Sequence, residues 1–110
     1  MGSILSEKMI YIGQYEEISP NKGYPSMRDY MVSNKYAGQD RIVRYLKHGS
    51  IEATAAGGAK PDVFTGEAIN VERGIQTDGN YAWSTVLPYY VEKYNLVLPK
   101  EFANYILNRS

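Results

Sequence analysis

A chain of 110 residues is long enough to bury one ordinary hydrophobic core and too short for two. Its 12 basic and 12 acidic residues cancel, leaving no global field to draw it to nucleic acid or anionic lipid. With no cysteine and one histidine, it excludes disulfides, thiol nucleophiles, cysteine-bound zinc and any serine triad that does not use His48.

Met1 to Lys8 lack the apolar centre of a secretory signal, and no apolar run approaches the roughly 20 residues that cross a bilayer. The expected location is the cytoplasm, with no membrane attachment. Structured patterning begins at Met9, an alternative start, so residues 1–8 are expected to be a disordered or non-native leader and 9–110 one domain.

Met9 through Ile12 read as a first strand, closed by the breaker-rich stretch Ile18-Ser19-Pro20-Asn21-Lys22-Gly23. Ser26 with Asp29 three residues later has the form of a helix cap, and predicts a short helix from Met27 to Ser33. After Gly38, the segment from Asp40 to His48 sets Ile42, Val43, Tyr45 and Leu46 on one helical face, with Lys47 and His48 in the last turn.

From Ser50 the period changes to two, and Ile51, Ala53 and Ala55 alternate with Glu52 and Thr54 as in a half-buried strand. Gly57-Gly58 and Lys60-Pro61-Asp62 form a loop, followed by a strand pattern carried by Ile69, Val71 and Ile75. Asp78-Gly79 signals a hairpin whose favoured tight turn takes positive φ at both central residues, with Tyr81 and Trp83 on one face of the returning strand. Ser84 or Thr85 can cap a helix bearing Leu87, Tyr90, Val91 and Tyr94, which Asn95 ends. Leu96 and Leu98 anchor the link to a last helix opened by Pro99, with Phe102, Tyr105 and Ile106 inward. The fold class is α+β, a small, mostly antiparallel sheet of about three to five strands packed with about four helices, two of them C-terminal.

Chemistry is sparse along this chain. A metal would need an all-carboxylate site, yet there is no Asp-x-Asp-x-Asp-Gly loop, so no metal and no cofactor is expected. His48 reads as a helix C-terminal residue favoured by the dipole. Gly57-Gly58-Ala59-Lys60 is followed by Pro61 rather than the Ser or Thr of a phosphate loop. The remaining enzymatic option is Asp62, Glu67 and Asp78, loop carboxylates expected to converge at one end of the sheet beside Tyr81 and Trp83. Against it stands the plain reading that Asp62 caps a turn, Glu67 is solvated and Asp78 serves the hairpin. Arg41, Arg44 and Lys47 share a helix face that phosphates could meet, although a solvated face explains them as well.

Tyrosine is over-represented, 11 against 2 phenylalanines and 1 tryptophan, which suits either a thin half-buried core or a contact surface. The segments Asp78-Gly79-Asn80-Tyr81-Ala82-Trp83, Tyr89-Tyr90-Val91-Glu92-Lys93-Tyr94 and Leu98-Pro99-Lys100-Glu101-Phe102 resemble the C-terminal half of a group of small uncharacterised bacterial proteins. Some of these resemble immunity proteins of polymorphic-toxin systems. The resemblance implies a protein that works by occupying a toxin's surface, through aromatic anchors and polar loops rather than chemistry. The sequence reading is therefore a non-enzymatic protein-binding module, an immunity or defence-conflict protein, with Asp62, Glu67, Asp78, Tyr81 and Trp83 as its contact residues. Its rivals are a small enzyme or ligand binder using the loop carboxylates and, last, a nucleic-acid binder through Arg41, Arg44 and Lys47. Oligomeric state is not encoded.

Overall fold

Four strands and three helices make up the computed structural model, which describes residues 9–109. The expectation for residues 1–8 lies outside the described residues. In chain order the elements are β1 (Ile10–Ile12), α1 (Gln39–Lys47), β2 (Ser50–Ala55), β3 (Arg73–Thr77), β4 (Tyr81–Ser84), α2 (Leu87–Tyr94) and α3 (Lys100–Arg109). The sheet runs β1-β4-β3-β2 and is mixed. The β2–β3 and β3–β4 pairs are antiparallel, and β1 joins β4 in parallel.

Cross-strand partners share a face, so Ile12, Trp83 and Gln76 stand in one row across β1, β4 and β3. This is the face the helices cover. The Trp83 indole donates to the Leu46 carbonyl at 3.2 Å and its ring meets Phe102, while the Gln76 amide donates to the Lys47 and Gly49 carbonyls. Helix α1 also packs on α2 and α3. Trp83, Tyr90, Phe102, Leu46 and Ile106 are the heart of one continuous apolar cluster.

The α+β class and the mainly antiparallel sheet are as the sequence predicts, but three helices stand where about four were expected. The predicted helix at Met27–Ser33 is a single 3-10 turn, Met27–Tyr30. Ser26 does cap it, accepting from the Arg28 amide at 3.2 Å, and Glu17 takes the Met27 amide at 2.7 Å. The turn stops because the backbone beyond it is claimed elsewhere. Met31 bridges Leu96, the Val32 amide donates to the Asn95 carbonyl and the Val97 amide to the Tyr30 carbonyl. Tertiary pairing here overrides a local helical tendency.

Two strand readings also change. β2 forms at the predicted place, but it is the last strand of the sheet, and Ile51 stays 55% exposed instead of half-buried. Alternation locates a strand, and only sheet order decides whether anything lies above it. Ile69 and Val71 do not extend β3, because the Val71 amide donates back to the Ile69 carbonyl at 2.9 Å, a three-residue turn that breaks the run. β3 crosses β2 at Gly74, where a Cβ would lie 2.2 Å from the Ala53 carbonyl oxygen.

The Asp78-Gly79 hairpin forms, with a correction to its turn. Three residues, 78–80, connect β3 to β4, and of these only Gly79 has positive φ. The Asp78 carboxylate replaces the missing turn geometry by accepting from the Asn80 and Tyr81 amides at 2.9 and 2.8 Å. Thr85 does not cap α2. It donates to the Glu72 carbonyl and accepts from the Gly74 amide, tying the start of α2 to β3. Asn95 ends α2 in the left-handed region as expected, φ 53°.

Candidate functional site

Asp62 opens a loop and turns its carboxylate inward, whereas Glu67 at the end of the same segment is exposed. The Asp62 side chain is fully shielded from solvent, and each carboxylate oxygen is spoken for. Oδ1 accepts from the Phe64 and Thr65 amides at 2.7 and 3.1 Å, and Oδ2 from the Tyr89 and Tyr94 hydroxyls at 2.7 Å each. Burial by itself would raise this carboxyl, but the donors from Tyr89, Tyr94, Phe64 and Thr65 outweigh it and bring it down to about 2. Lys93 sits 3.7 Å from Asp62 and 2.7 Å from Glu67, and the Glu67 bond, then that of Tyr89, raises the lysine. The Phe64 ring packs edge-on to Tyr90 and Tyr94. The segment from Asp62 to Glu67 is therefore latched onto one side of α2.

The sequence placed Asp62, Glu67 and Asp78 together, and the structure joins only the first two. Asp78 belongs to the β3–β4 hairpin, where it accepts a short hydrogen bond from the Tyr45 hydroxyl as well as the two turn amides. Tyr81 is half-buried against Phe102 and Tyr105, with ring centroids 4.5 and 4.8 Å away. Trp83 is 1% exposed. The five residues are thus a latch, a turn and two core aromatics, and they make no common surface.

Of the α1 cations, Arg41 and Lys47 have partners within the fold, whereas Arg44 is exposed. Arg41 donates to the Leu107 carbonyl at 2.8 Å, Lys47 lies 3.4 Å from Glu92, and His48 Nδ1 sits 2.7 Å from the Arg44 carbonyl at the helix end. Among the described residues no three His, Cys, Asp or Glu side chains are grouped to hold a metal ion, and no helix is long and apolar enough to cross a membrane.

Two of several concavities are candidate binding sites, and a further one of about 450 Å³, lined in part by Arg73, shares Tyr11, Ile12, Gly13 and Gln14 with the smaller of them. The larger, about 560 Å³, lies between α2 and the 68–72 segment, with Ile51, Ile69, Val71, Pro88 and Tyr89 in its walls. Its polar groups are mostly committed: Tyr89 to Asp62, Gln76 to Lys47 and Gly49, Thr85 to Glu72, and Lys47 to Glu92.

The smaller, about 400 Å³, is lined by Tyr11, Tyr15, Tyr24 and Tyr30 with Pro25, Pro99 and neighbouring backbone. Three chain segments build it: the exit of β1, the turn at Met27–Tyr30 and the link between α2 and α3. They are cross-tied by the Glu16 amide to the Pro25 carbonyl at 2.9 Å and the Val97 amide to the Tyr30 carbonyl at 2.8 Å. Such a groove is set before any ligand arrives.

Ten of the 11 tyrosines fall into two groups by what their hydroxyls do, and Tyr81, outside the groove, likewise makes no hydroxyl hydrogen bond with the described residues. Tyr36, Tyr45, Tyr89 and Tyr94 donate to carbonyl or carboxylate oxygens, and Tyr90 and Tyr105 accept from Val63 and Asn80. The four groove tyrosines make no side-chain hydrogen bond with any of the described residues. Tyr11 and Tyr30 are 41% and 44% exposed, whereas Tyr15 lies almost wholly beneath them, its ring 6.3 Å from that of Tyr30. Burial, then the neighbouring Tyr30 and Tyr36, pushes the Tyr15 phenol up to about 12, so it remains a proton donor throughout the physiological range. Sequence reasoning registered the excess of tyrosine but did not locate this group, because its members are spread over two segments with no common period.

No known protein family, curated protein or solved structure matches this chain.

Proposed function

We propose that this protein acts as a stoichiometric binder of another protein, and that the tyrosine groove is its contact surface. The observation that carries the reading is the clustering of tyrosines: the groove gathers four aromatic rings whose hydroxyls make no hydrogen bond with the described residues. Large rigid rings with an unspent polar tip are the side chains that dominate protein interfaces, because they bury much area at small cost in conformational entropy. The carboxylates offered as catalytic candidates are, by contrast, consumed by structural hydrogen bonds. This moves the contact surface away from Asp62, Glu67, Asp78, Tyr81 and Trp83.

The resemblance of the C-terminal half supplies the partner class, a toxin or other conflict-system protein neutralised in the bacterial cytoplasm. The test is co-expression with each candidate toxin that sequencing finds encoded beside its gene. Wild-type protein restores growth, and the Tyr11→Ala, Tyr30→Ala double variant, with an unchanged melting temperature, does not. Full protection by the double variant would remove the groove from the mechanism, and no protection by the wild type would remove the toxin.

A further inference from the structure

The groove's composition restricts what can sit in it. Among the described residues, none of those lining it is charged, which favours an uncharged peptide over a charged one. Its lining combines four tyrosines with Pro25 and Pro99, residues that present ring surfaces. The four hydroxyls make no hydrogen bond with the described residues, so each is free to donate to an acceptor on an occupant.

A strand rich in proline meets each requirement. It carries no charge, its pyrrolidine rings pack flat against aromatic faces, and it displays carbonyl acceptors while lacking the N–H donors that an ordinary extended strand must also satisfy. It is stiff before binding, which lowers the entropy lost on docking, and the groove is likewise cross-tied in advance. Aromatic-lined grooves that read polyproline II segments work on this physics.

We propose that the occupant of the groove formed by Tyr11, Tyr15, Tyr24 and Tyr30 with Pro25 and Pro99 is a proline-rich, uncharged segment of the partner protein in the polyproline II conformation. The inference rests on the protein-binding reading and names the part of the partner that is recognised. Tyr24 and Tyr30 rings grip pyrrolidines, and the hydroxyls donate to the strand's carbonyls.

The experiment titrates the ¹⁵N-labelled protein with decaproline and, separately, with a Gly-Ser peptide of equal length. Saturable amide shifts with decaproline alone, confined to the segments around Gly13–Tyr15, Tyr24–Tyr30 and Val97, are the expected result. Tyr30→Phe, which keeps the ring, should weaken decaproline binding by about 3- to 10-fold, the loss of one hydrogen bond, with an otherwise unchanged amide spectrum. Tyr30→Ala should abolish it.

Equal responses to the two peptides, no response, or shifts centred on the cleft walled by Ile51, Val71 and Tyr89 would each overturn the proposal. So would a concentration-dependent dimer that Tyr30→Ala dissolves, since a second copy of this chain would then be the occupant. If decaproline fails while the Tyr11→Ala, Tyr30→Ala variant still loses toxin protection, the proline inference falls and the binding reading stands. If protection also survives that variant, both fall.

Discussion

Asp62 illustrates how a buried charge can serve structure alone. Four donors surround its two oxygens, and together they hold the carboxyl well below its usual value, at about 2. Asp62→Asn keeps the shape but turns one acceptor into a donor that faces hydroxyls and amides already donating. We expect a loss of about 2 kcal/mol at neutral pH, read as a lower urea midpoint. The sign of the pH dependence follows from the lowered value. The stabilisation from Asp62 is complete above about 4, the range of an unfolded aspartate, and disappears as the pH falls toward about 2. The gap in midpoint between wild type and Asp62→Asn should therefore close between about pH 4 and pH 2, and a gap that persists at pH 2 would detach the effect from this carboxylate. Trp83 belongs to the core and not to a contact surface, so Trp83→Ala should cost about 3 to 5 kcal/mol. Unchanged melting would contradict that placement.

Elements in this fold are fixed where they meet one another. Asn95 ends α2 with a left-handed backbone and uses its side chain twice, accepting from Gln39 at 2.9 Å and donating to the Val32 carbonyl at 3.2 Å. Asn95→Ala should cost about 2 to 3 kcal/mol, combining strain with two lost hydrogen bonds, and Asn95→Gly should recover about 1 by relieving the strain alone. Equal losses in the two variants, in thermal unfolding, would show that the backbone conformation carries no weight. At the other end of the sheet, Gly74 allows β2 to approach β3, because any Cβ would collide with the Ala53 carbonyl. Gly74→Ala should cost about 1 to 3 kcal/mol, and hydrogen exchange should show the β2 amides losing protection before those of β4. Since β2 is an edge strand with little cover, it can loosen without opening the helix-covered face.

At the scale of the whole molecule, balanced charge and an uncharged groove make a joint prediction. Partner binding through the groove should change little between about 50 and 500 mM salt, a range over which screening removes most interactions between exposed charges. A steep decline in affinity, measured by calorimetry, would place recognition on the charged surfaces instead, with α1 the first candidate. The ion pairs Lys47–Glu92 and Lys93–Glu67 are largely solvent-exposed, so they are expected to add little to stability at any ionic strength.

Features that depend on neighbours in the chain were legible before the fold was known. The stripe from Leu87 to Tyr94, the capped ends at Ser26 and Asn95, the glycine-bearing hairpin at Asp78 and the excess of tyrosine are local signals with local causes. Tertiary structure decided the features that depend on who competes for a backbone or a side chain. It stopped the Met27 helix after one turn by pairing Met31 with Leu96, left β2 uncovered at the sheet edge, and separated Asp78 from Asp62 and Glu67. It also chose which tyrosines are spent inside the fold and which face a groove. A hydroxyl's partner is set by distances across the folded chain, as between Tyr36 and Leu96, and no spacing along the sequence encodes them.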